Sequence, residues 1–480
     1  MNNEIKTTYC DGNEKCDFTN NVLELYHYRS SDYVINGFKN LLESDLLMKT
    51  IILDLCHIDI DFVENFGPLI SKIETLEYVK IDFCEFDETS DAELMNYVNK
   101  NHNINRLHFF GNLNPVNIVK FNGNYEYIII FNLVDTNIRQ FIEDIQDNKN
   151  LKSLSLNNCS IDDSGLEIIN EYIGNNNILK KLYLNGIFFN EANIINFSEN
   201  IKKNTSLKKL KILISCRYIG EIFNALSGNK FLESVKICNS LPSHVDFDIV
   251  NMIKNNNTIK KLSIKNIKIY DIKPLFTSLN TNTTLKHFAI ENEEIIIPCC
   301  LKNNTLKSLK LCGKIDKNGL TNLSRFLKYD SVLKNLHINI KLDKIHEFDM
   351  TNIISALEFN NTLTTLTMYC RNPDLNGMDK LSNMLQYNNT LKKLTFESKN
   401  NGTTIQIMRD IIESLKVNNT LTYLDINPIN KNEIIENAKI MLETNYALEY
   451  FCGINELDDL LTQESRQMRA NRSRMKPAKH

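Results

Sequence analysis

One short pattern constrains this chain more than any other feature: a block with apolar residues at relative positions 1, 4 and 6 that returns along nearly its whole length. It reads Leu207-Lys208-Lys209-Leu210-Lys211-Ile212 in one copy, Leu306-Lys307-Ser308-Leu309-Lys310-Leu311 in another and Leu391-Lys392-Lys393-Leu394-Thr395-Phe396 in a third. First positions fall at Met48, Leu76, Ile104, Tyr125, Leu151, Leu179, Leu207, Leu232, Ile259, Leu285, Leu306, Leu333, Leu363, Leu391, Leu421 and Leu448. These sixteen copies have a mean period of about 27 residues, with gaps from 21 to 30. Such a period makes each copy one supersecondary unit that buries its apolar face only by stacking on its neighbours.

Each copy carries the same physical plan. The alternation at positions 4 and 6 predicts a short strand with the apolar side chains on one face and the intervening residues on the other. Helical spacing follows, as in Gly165-Leu166-Glu167-Ile168-Ile169 and on to Tyr172 and Ile173, with Asp162, Asp163 and Ser164 as N-cap candidates. An asparagine-rich turn then leads to the next strand, and asparagine suits it by tolerating turn conformations.

Leu151-x-x-Leu154-x-Leu156-x-x-Cys159-x-Ile161, followed by Gly165-Leu166, resembles the ribonuclease-inhibitor subclass of leucine-rich repeats. Met48 to Ile58, with Cys56, and Leu76 to Phe86, with Cys84, follow the same frame. The resemblance covers roughly residues 45–455 and implies an α/β solenoid, a leucine-rich-repeat horseshoe with a parallel sheet on its concave face and helices on its convex face. It also implies a structural role for Cys56, Cys84 and Cys159 at the turn after the strand. The domain plan is an N-terminal cap at 1–45, a solenoid of about 16 repeats at 46–455, and a C-terminal cap with a basic, disordered tail at 456–480. The copies starting at Ile104, Tyr125 and Leu285 depart from the clean pattern, so local irregularity or a shift in curvature is expected there.

Composition narrows the function. The chain has 480 residues, 42% of them apolar and 24% charged, enough for a core and unlike a disordered segment. Net charge is −4, which exerts no strong pull towards nucleic acid or a membrane surface. The N-terminus is polar, no stretch approaches the ~20 apolar residues that span a bilayer, and the 12 cysteines are scattered. Thiols in a reducing compartment follow, so the expected location is the cytoplasm, the organism's own or a host's.

Catalytic signatures are missing from the sequence: no phosphate-binding glycine loop, no nucleophile elbow, no H-E-x-x-H zinc helix. Cys10 with Cys16, and Cys299 with Cys300, lack zinc-site spacing. No enzyme, metal or cofactor is expected.

Positions 3, 5 and 7 of each copy point to the concave face. In the seven copies from Leu151 to Leu306 these 21 positions hold seven lysines, Lys181, Lys209, Lys211, Lys236, Lys261, Lys265 and Lys310, against one acid, Glu291. This block is read either as a basic strip for an acidic partner or as an ordinary solvated face. Tyr78, Phe110, Tyr127, Ile129 and Phe131 form an N-terminal group that either packs on the cap or meets a partner. Tyr369, Tyr423 and Tyr450, beside Asp425, form a C-terminal group of candidate interface anchors.

The leading functional expectation is a non-enzymatic protein–protein interaction scaffold that binds a partner protein on the concave face. A substrate-recruiting adaptor for ubiquitin-ligase or signalling machinery is the alternative, although residues 1–45 do not look like an F-box. A small-GTPase regulator of this repeat subclass would end in an acidic tail, whereas residues 466–480 hold four Arg, two Lys and no acid. An RNA-binding scaffold using the lysines and that tail is a further reading, disfavoured because the chain without its tail is net −10, the total of −4 less the tail's +6.

Overall fold

All sixteen first-position residues are buried, none more than 3% exposed, and each sits just before a strand. The computed structural model describes residues 7–11, 14–19, 21–27, 47–87, 89–111, 119–133, 135–241, 245–298, 301–329, 332–340, 351–370, 377, 379–398, 404–426, 432–452, 454–462, 465 and 467. By its internal contacts the chain divides into two compact units, Met1–Ser243 and His244–His480.

In the first unit the strands are β1 (Thr7–Asp11), β2 (Glu14–Thr19), β3 (Val22–Tyr26), β4 (Thr50–Asp54), β5 (His57–Ile58), β6 (Tyr78–Phe86), β7 (Arg106–Gly111), β8 (Tyr127–Phe131), β9 (Ser153–Asn157), β10 (Lys181–Phe188), β11 (Lys209–Ser215) and β12 (Ser234–Asn239). From β3 to β12 the main sheet is parallel, each strand pairing with that of the next repeat, while β5 is a short parallel partner of β6. Helices such as Asp163–Asn175 and Glu191–Lys203 carry the chain between these strands. In the second unit β13 (Lys261–Lys265), β14 (His287–Glu294), β15 (Ser308–Lys314), β16 (Asn335–Ile340), β17 (Thr365–Cys370), β18 (Lys393–Ser398), β19 (Tyr423–Ile426) and β20 (Tyr450–Phe451) form a second parallel series. Each unit is an α/β solenoid of the leucine-rich-repeat kind.

Within 1–45, β1 and β2 pair antiparallel, β2 pairs antiparallel with β3, and β3 already lies parallel to β4. Leu23 and Leu25 fill the position 4 and 6 slots there, a signal of one copy only. At the other end, the helix Asp458–Leu461 follows β20, with Leu457 and Leu461 buried. The expected basic tail lies outside the described residues but for Gln467. Register shifts occur after Asp82, Asn185 and Glu291. Irregularity thus appears in the Leu285 copy as expected and in the β6–β7 pairing that the Ile104 copy shares with the Leu76 copy, while the Tyr125 copy pairs regularly and the regular-looking Leu179 copy carries a shift of its own.

Why these residues make these elements is clear in the Leu151 copy. Leu154 and Leu156 are buried, and burying a leucine is worth ~1.5–3 kcal/mol. Of the three N-cap candidates, Asp162 is the cap: its carboxylate accepts the Gly165 N–H at 2.7 Å. That bond, with one from Ser164, holds the carboxyl below its ordinary pKa.

The turn asparagines work differently from the expectation. Asn176, Asn204, Asn229 and Asn256 have extended backbones, with φ between −80° and −63°. Their value lies in the carboxamide. Asn204 Nδ2 donates to the carbonyls of Ile173 (2.9 Å) and Asn176 (3.1 Å), while its Oδ1 accepts from the N–H groups of Ser206 (3.0 Å) and Leu207 (2.8 Å). Asn388, Asn418 and Asn445 repeat the arrangement. Each amide therefore closes the helix end of one repeat and the strand entry of the next, groups that would otherwise be buried unpaired. Left-handed conformations appear instead just after the strand at Leu55, Asn132, Asn158 and Asn266, and at the register shifts within β6 and β10 at Phe83 and Gly186.

Candidate protein-binding faces

The pleat that buries positions 4 and 6 turns positions 3, 5 and 7 to the other side of the sheet. In the first unit this face carries Lys181, Lys209, Lys211 and Lys236. Lys181 lies opposite Lys209, and Lys211 lies between Tyr183 and Lys236. The Lys181 ammonium stands 5.5 Å from the ring centre of Tyr127, which the Arg106 guanidinium also approaches, at 5.1 Å. Lys211 stands 5.9 Å from the Tyr183 ring. These cation–π contacts hold the charges over a platform of rings. No outward position of β8–β12 is acidic.

Beside them Phe83, Phe110 and Phe131 form a chain of rings at 4.1 and 4.9 Å, with His108 stacked on Phe131 at 5.3 Å. Tyr78 lies opposite Arg106, and Ile129 lies between His108 and Ser155. Phe83 is 54% exposed, although its carbon-rich side chain favours burial. A single copy gives no sign of Arg106, Tyr183 or Phe83 as site residues; the same position of adjacent copies, set side by side, brings out the first two.

In the second unit Lys261 lies opposite His287, while Lys310 lies between Ala289 and His337. Glu291, the one acid expected on this face, pairs in register with Cys312. His337 is held down to about 4 by burial first and then by Lys310 and Lys265, so both ammonium groups act on the same imidazole. The unfolded chain takes up a proton near the ordinary value of 6.5 that the folded chain refuses until about 4. This group's contribution is complete above pH 6.5 and is lost as pH falls through that window. His337→Gln should flatten that part of the acid-unfolding curve; an unchanged curve would show a well-solvated imidazole.

The three expected C-terminal tyrosines do not form one patch. Tyr423 and Tyr450 stack at 4.3 Å with an interplanar angle of 7°, and Lys393, not singled out before, stands 5.5 Å from the Tyr423 ring. Burial, then Asp425 and Tyr450, push the Tyr423 phenol up to about 12. Tyr369 packs instead on His337, at 5.3 Å.

No group of three or more His, Cys, Asp or Glu among the described residues is placed to hold a metal. The Cys56 thiol donates to the carbonyls of Leu25 and Asp54, each at 3.4 Å. Its hydrogen bond with Cys56, and then burial, push the Cys84 thiol up, and burial pushes Cys159 to about 11. Thiols so held protonated are poor nucleophiles.

Residues 134–265 match the family model described as the TMOD/LMOD leucine-rich domain. These are leucine-rich repeats. Among solved structures, the leucine-rich-repeat chain is similar to leiomodin-1 actin-binding site 2, at 26% identity, covering 26% of this chain and 79% of that one with a TM-score of 0.21. It is also similar to an internalin from Listeria monocytogenes, at 15% identity, covering 82% and 94% with a TM-score of 0.39. No curated protein matches the sequence.

Proposed function

We propose that this leucine-rich-repeat protein is a non-enzymatic interaction scaffold that binds an acidic partner protein on the helix-free face of its sheet, within the cytoplasm. The observation that carries this reading is the block Lys181, Lys209, Lys211 and Lys236, seated among Tyr127, Tyr183 and Arg106 with no acid on the same face of β8–β12. Aromatic rings supply contact area at low entropic cost, and the lysines steer and orient an acidic surface. Lys261, Lys265 and Lys310, with Tyr369 and the Tyr423–Tyr450 stack, provide the corresponding contacts on the second unit. The frame of the Leu151 copy supports placing the repeats in the ribonuclease-inhibitor-like subclass. No helix among the described residues is long and apolar enough to cross a membrane.

The leiomodin-1 segment is described as an actin-binding site, which makes actin a protein to test on this chain rather than one assigned to it. The test compares the full chain with a variant carrying Lys181→Glu, Lys209→Glu, Lys211→Glu and Lys236→Glu, by affinity capture followed by crosslinking. Reversing four charges should weaken capture of an acidic partner by at least about tenfold, and crosslinks from the parent should fall on β8–β12. Equal capture by both proteins would reduce the lysines to a solvated face. RNA recovered with the parent and released by moderate salt would favour a nucleic-acid scaffold instead.

A further inference from the structure

The residue at position 2 of each copy stands at the entry edge of its strand, and the backbone shows that these residues form a continuous row. In the second unit each row amide donates to the carbonyl of the row residue before it: Lys286 to Lys260 (2.9 Å), Lys307 to Lys286 (2.8 Å), Lys334 to Lys307 (2.9 Å), Thr364 to Lys334 (2.8 Å), Lys392 to Thr364 (2.8 Å), Thr422 to Lys392 (2.8 Å) and Glu449 to Thr422 (2.7 Å). Successive side chains are therefore one strand apart, ~4.8 Å. Five of these eight are lysines, and the one acid stands at the far end.

The first unit supplies an internal comparison. Its row carries Lys49, Glu77, Glu126, Lys152, Lys180, Lys208 and Glu233, and every acid is paired along the row: Lys49–Glu77 at 3.4 Å, Lys152–Glu126 at 2.6 Å and Lys208–Glu233 at 3.9 Å. Among the described residues no ion pair is recorded for Lys286, Lys307, Lys334 or Lys392, all of them exposed. The same fold position is neutralised in one unit and left basic in the other.

Beside the basic row lies an open groove of about 500 Å³. Lys334 and Lys392 line it with the exposed carboxamides of Asn361, Asn389 and Asn419 and the threonines between them. The buried neighbours Asn360, Asn388 and Asn418 belong to the internal amide ladder, so the next residue of each Asn-Asn-Thr turn faces the groove. The lining holds no acid and no aromatic ring.

We propose that this edge of the second unit is a docking groove for an extended acidic polypeptide segment. Lysines at strand spacing meet carboxylates, and carboxamides, which both donate and accept, match the N–H and C=O groups of a peptide backbone. A single-stranded nucleic acid would lack the rings on which its bases stack. The inference concerns position 2 and stands apart from the reading of positions 3, 5 and 7.

The test measures binding of a labelled oligoglutamate peptide to the full chain by fluorescence anisotropy, at low and high salt. Binding should be present and weaken with salt. Changing Lys286, Lys307, Lys334 and Lys392 to Gln should weaken it about thirtyfold, the sum of four exposed pairs, while changing all four to Arg should preserve it. A control with Lys202→Gln, Lys254→Gln, Lys317→Gln and Lys328→Gln, four exposed lysines carried on helices, should bind within about twofold of the parent, since these charges belong neither to the row nor to the groove. Matching thermal melts confirm that each variant is folded. Undiminished binding by the Gln variant overturns the proposal, as does loss confined to the control. A single-stranded RNA that binds more tightly than the peptide, with the same dependence on the four lysines, overturns the choice of ligand.

Discussion

Asn388→Ala is expected to destabilise the second unit by about 3 kcal/mol, because one small side chain closes four backbone groups. Its Nδ2 donates to the carbonyls of Leu357 (2.7 Å) and Asn360 (3.2 Å), and its Oδ1 accepts from the N–H groups of Thr390 (3.0 Å) and Leu391 (2.8 Å). Asn388 is 4% exposed, so water has little room to replace it. The Asn360 carbonyl keeps the Thr390 hydroxyl (3.1 Å) and the Leu357 carbonyl keeps the Asn360 N–H (3.3 Å). The cost therefore falls chiefly on the Thr390 and Leu391 N–H groups, ~1–3 kcal/mol for a buried group left without a partner, and such neighbouring costs do not simply add. Denaturant unfolding of the parent and variant measures the difference. Asn389→Ala, one residue away on an exposed carboxamide, should stay within ~0.5 kcal/mol. Equal, small losses at both sites would mean that the ladder adds no stability and that turn conformation alone selects asparagine.

Gly313→Ala is expected to cost about 2–3 kcal/mol, from overpacking and left-sided backbone strain together. Gly313 has φ +156°, and a Cβ there would collide with the backbone carbonyl oxygen of Asn292 and stand 3.0 Å from Ile295 Cγ1. The neighbour cannot retreat cheaply. Asn292 is buried, donating to the carbonyls of Ile269 (3.0 Å) and Glu294 (2.8 Å) and accepting the Ile269 N–H (3.0 Å). Gly228→Ala should behave in the opposite way. Gly228 ends the helix Gly220–Gly228, and its added Cβ meets only the flexible Lys202 side chain, 3.0 Å from Cε. Helix propensity then favours alanine by ~0.5–1 kcal/mol. Thermal melts of the two variants should shift in opposite directions; a neutral Gly313→Ala would show that the end of β15 adjusts freely.

Much of the architecture is legible in the sequence. The buried first positions, the strands that follow them and the N-cap segment Asp162, Asp163 and Ser164 follow from residue type and spacing, whereas the choice of Asp162 among the three came from its bond to the Gly165 N–H. Parts of the candidate sites were readable too: the pleat places Lys181, Lys209, Lys211 and Lys236 on one face, and Tyr423 opposite Tyr450. What escaped was of a different kind. The strand Val22–Tyr26 carries its signal once, without a first-position leucine, and a single copy does not stand out. The turn asparagines were assigned to the right place for the wrong reason, because sequence reports that a carboxamide is present and not which carbonyls surround it.

The sequence by itself determined the period, the strand-and-helix plan and the buried side of the strands that follow the sixteen first positions. It could do so because the pleat converts alternation along the chain directly into alternation between faces, a local rule that needs no partner. Only the tertiary structure decided which outward residues meet: Arg106 and Lys181 on Tyr127, Lys393 on Tyr423, Tyr369 on His337. It alone showed the position 2 row as neutralised in one unit and basic in the other. Those neighbours come from separate copies of the repeat, and their contacts depend on register, bulges and rotamers that only stacking imposes.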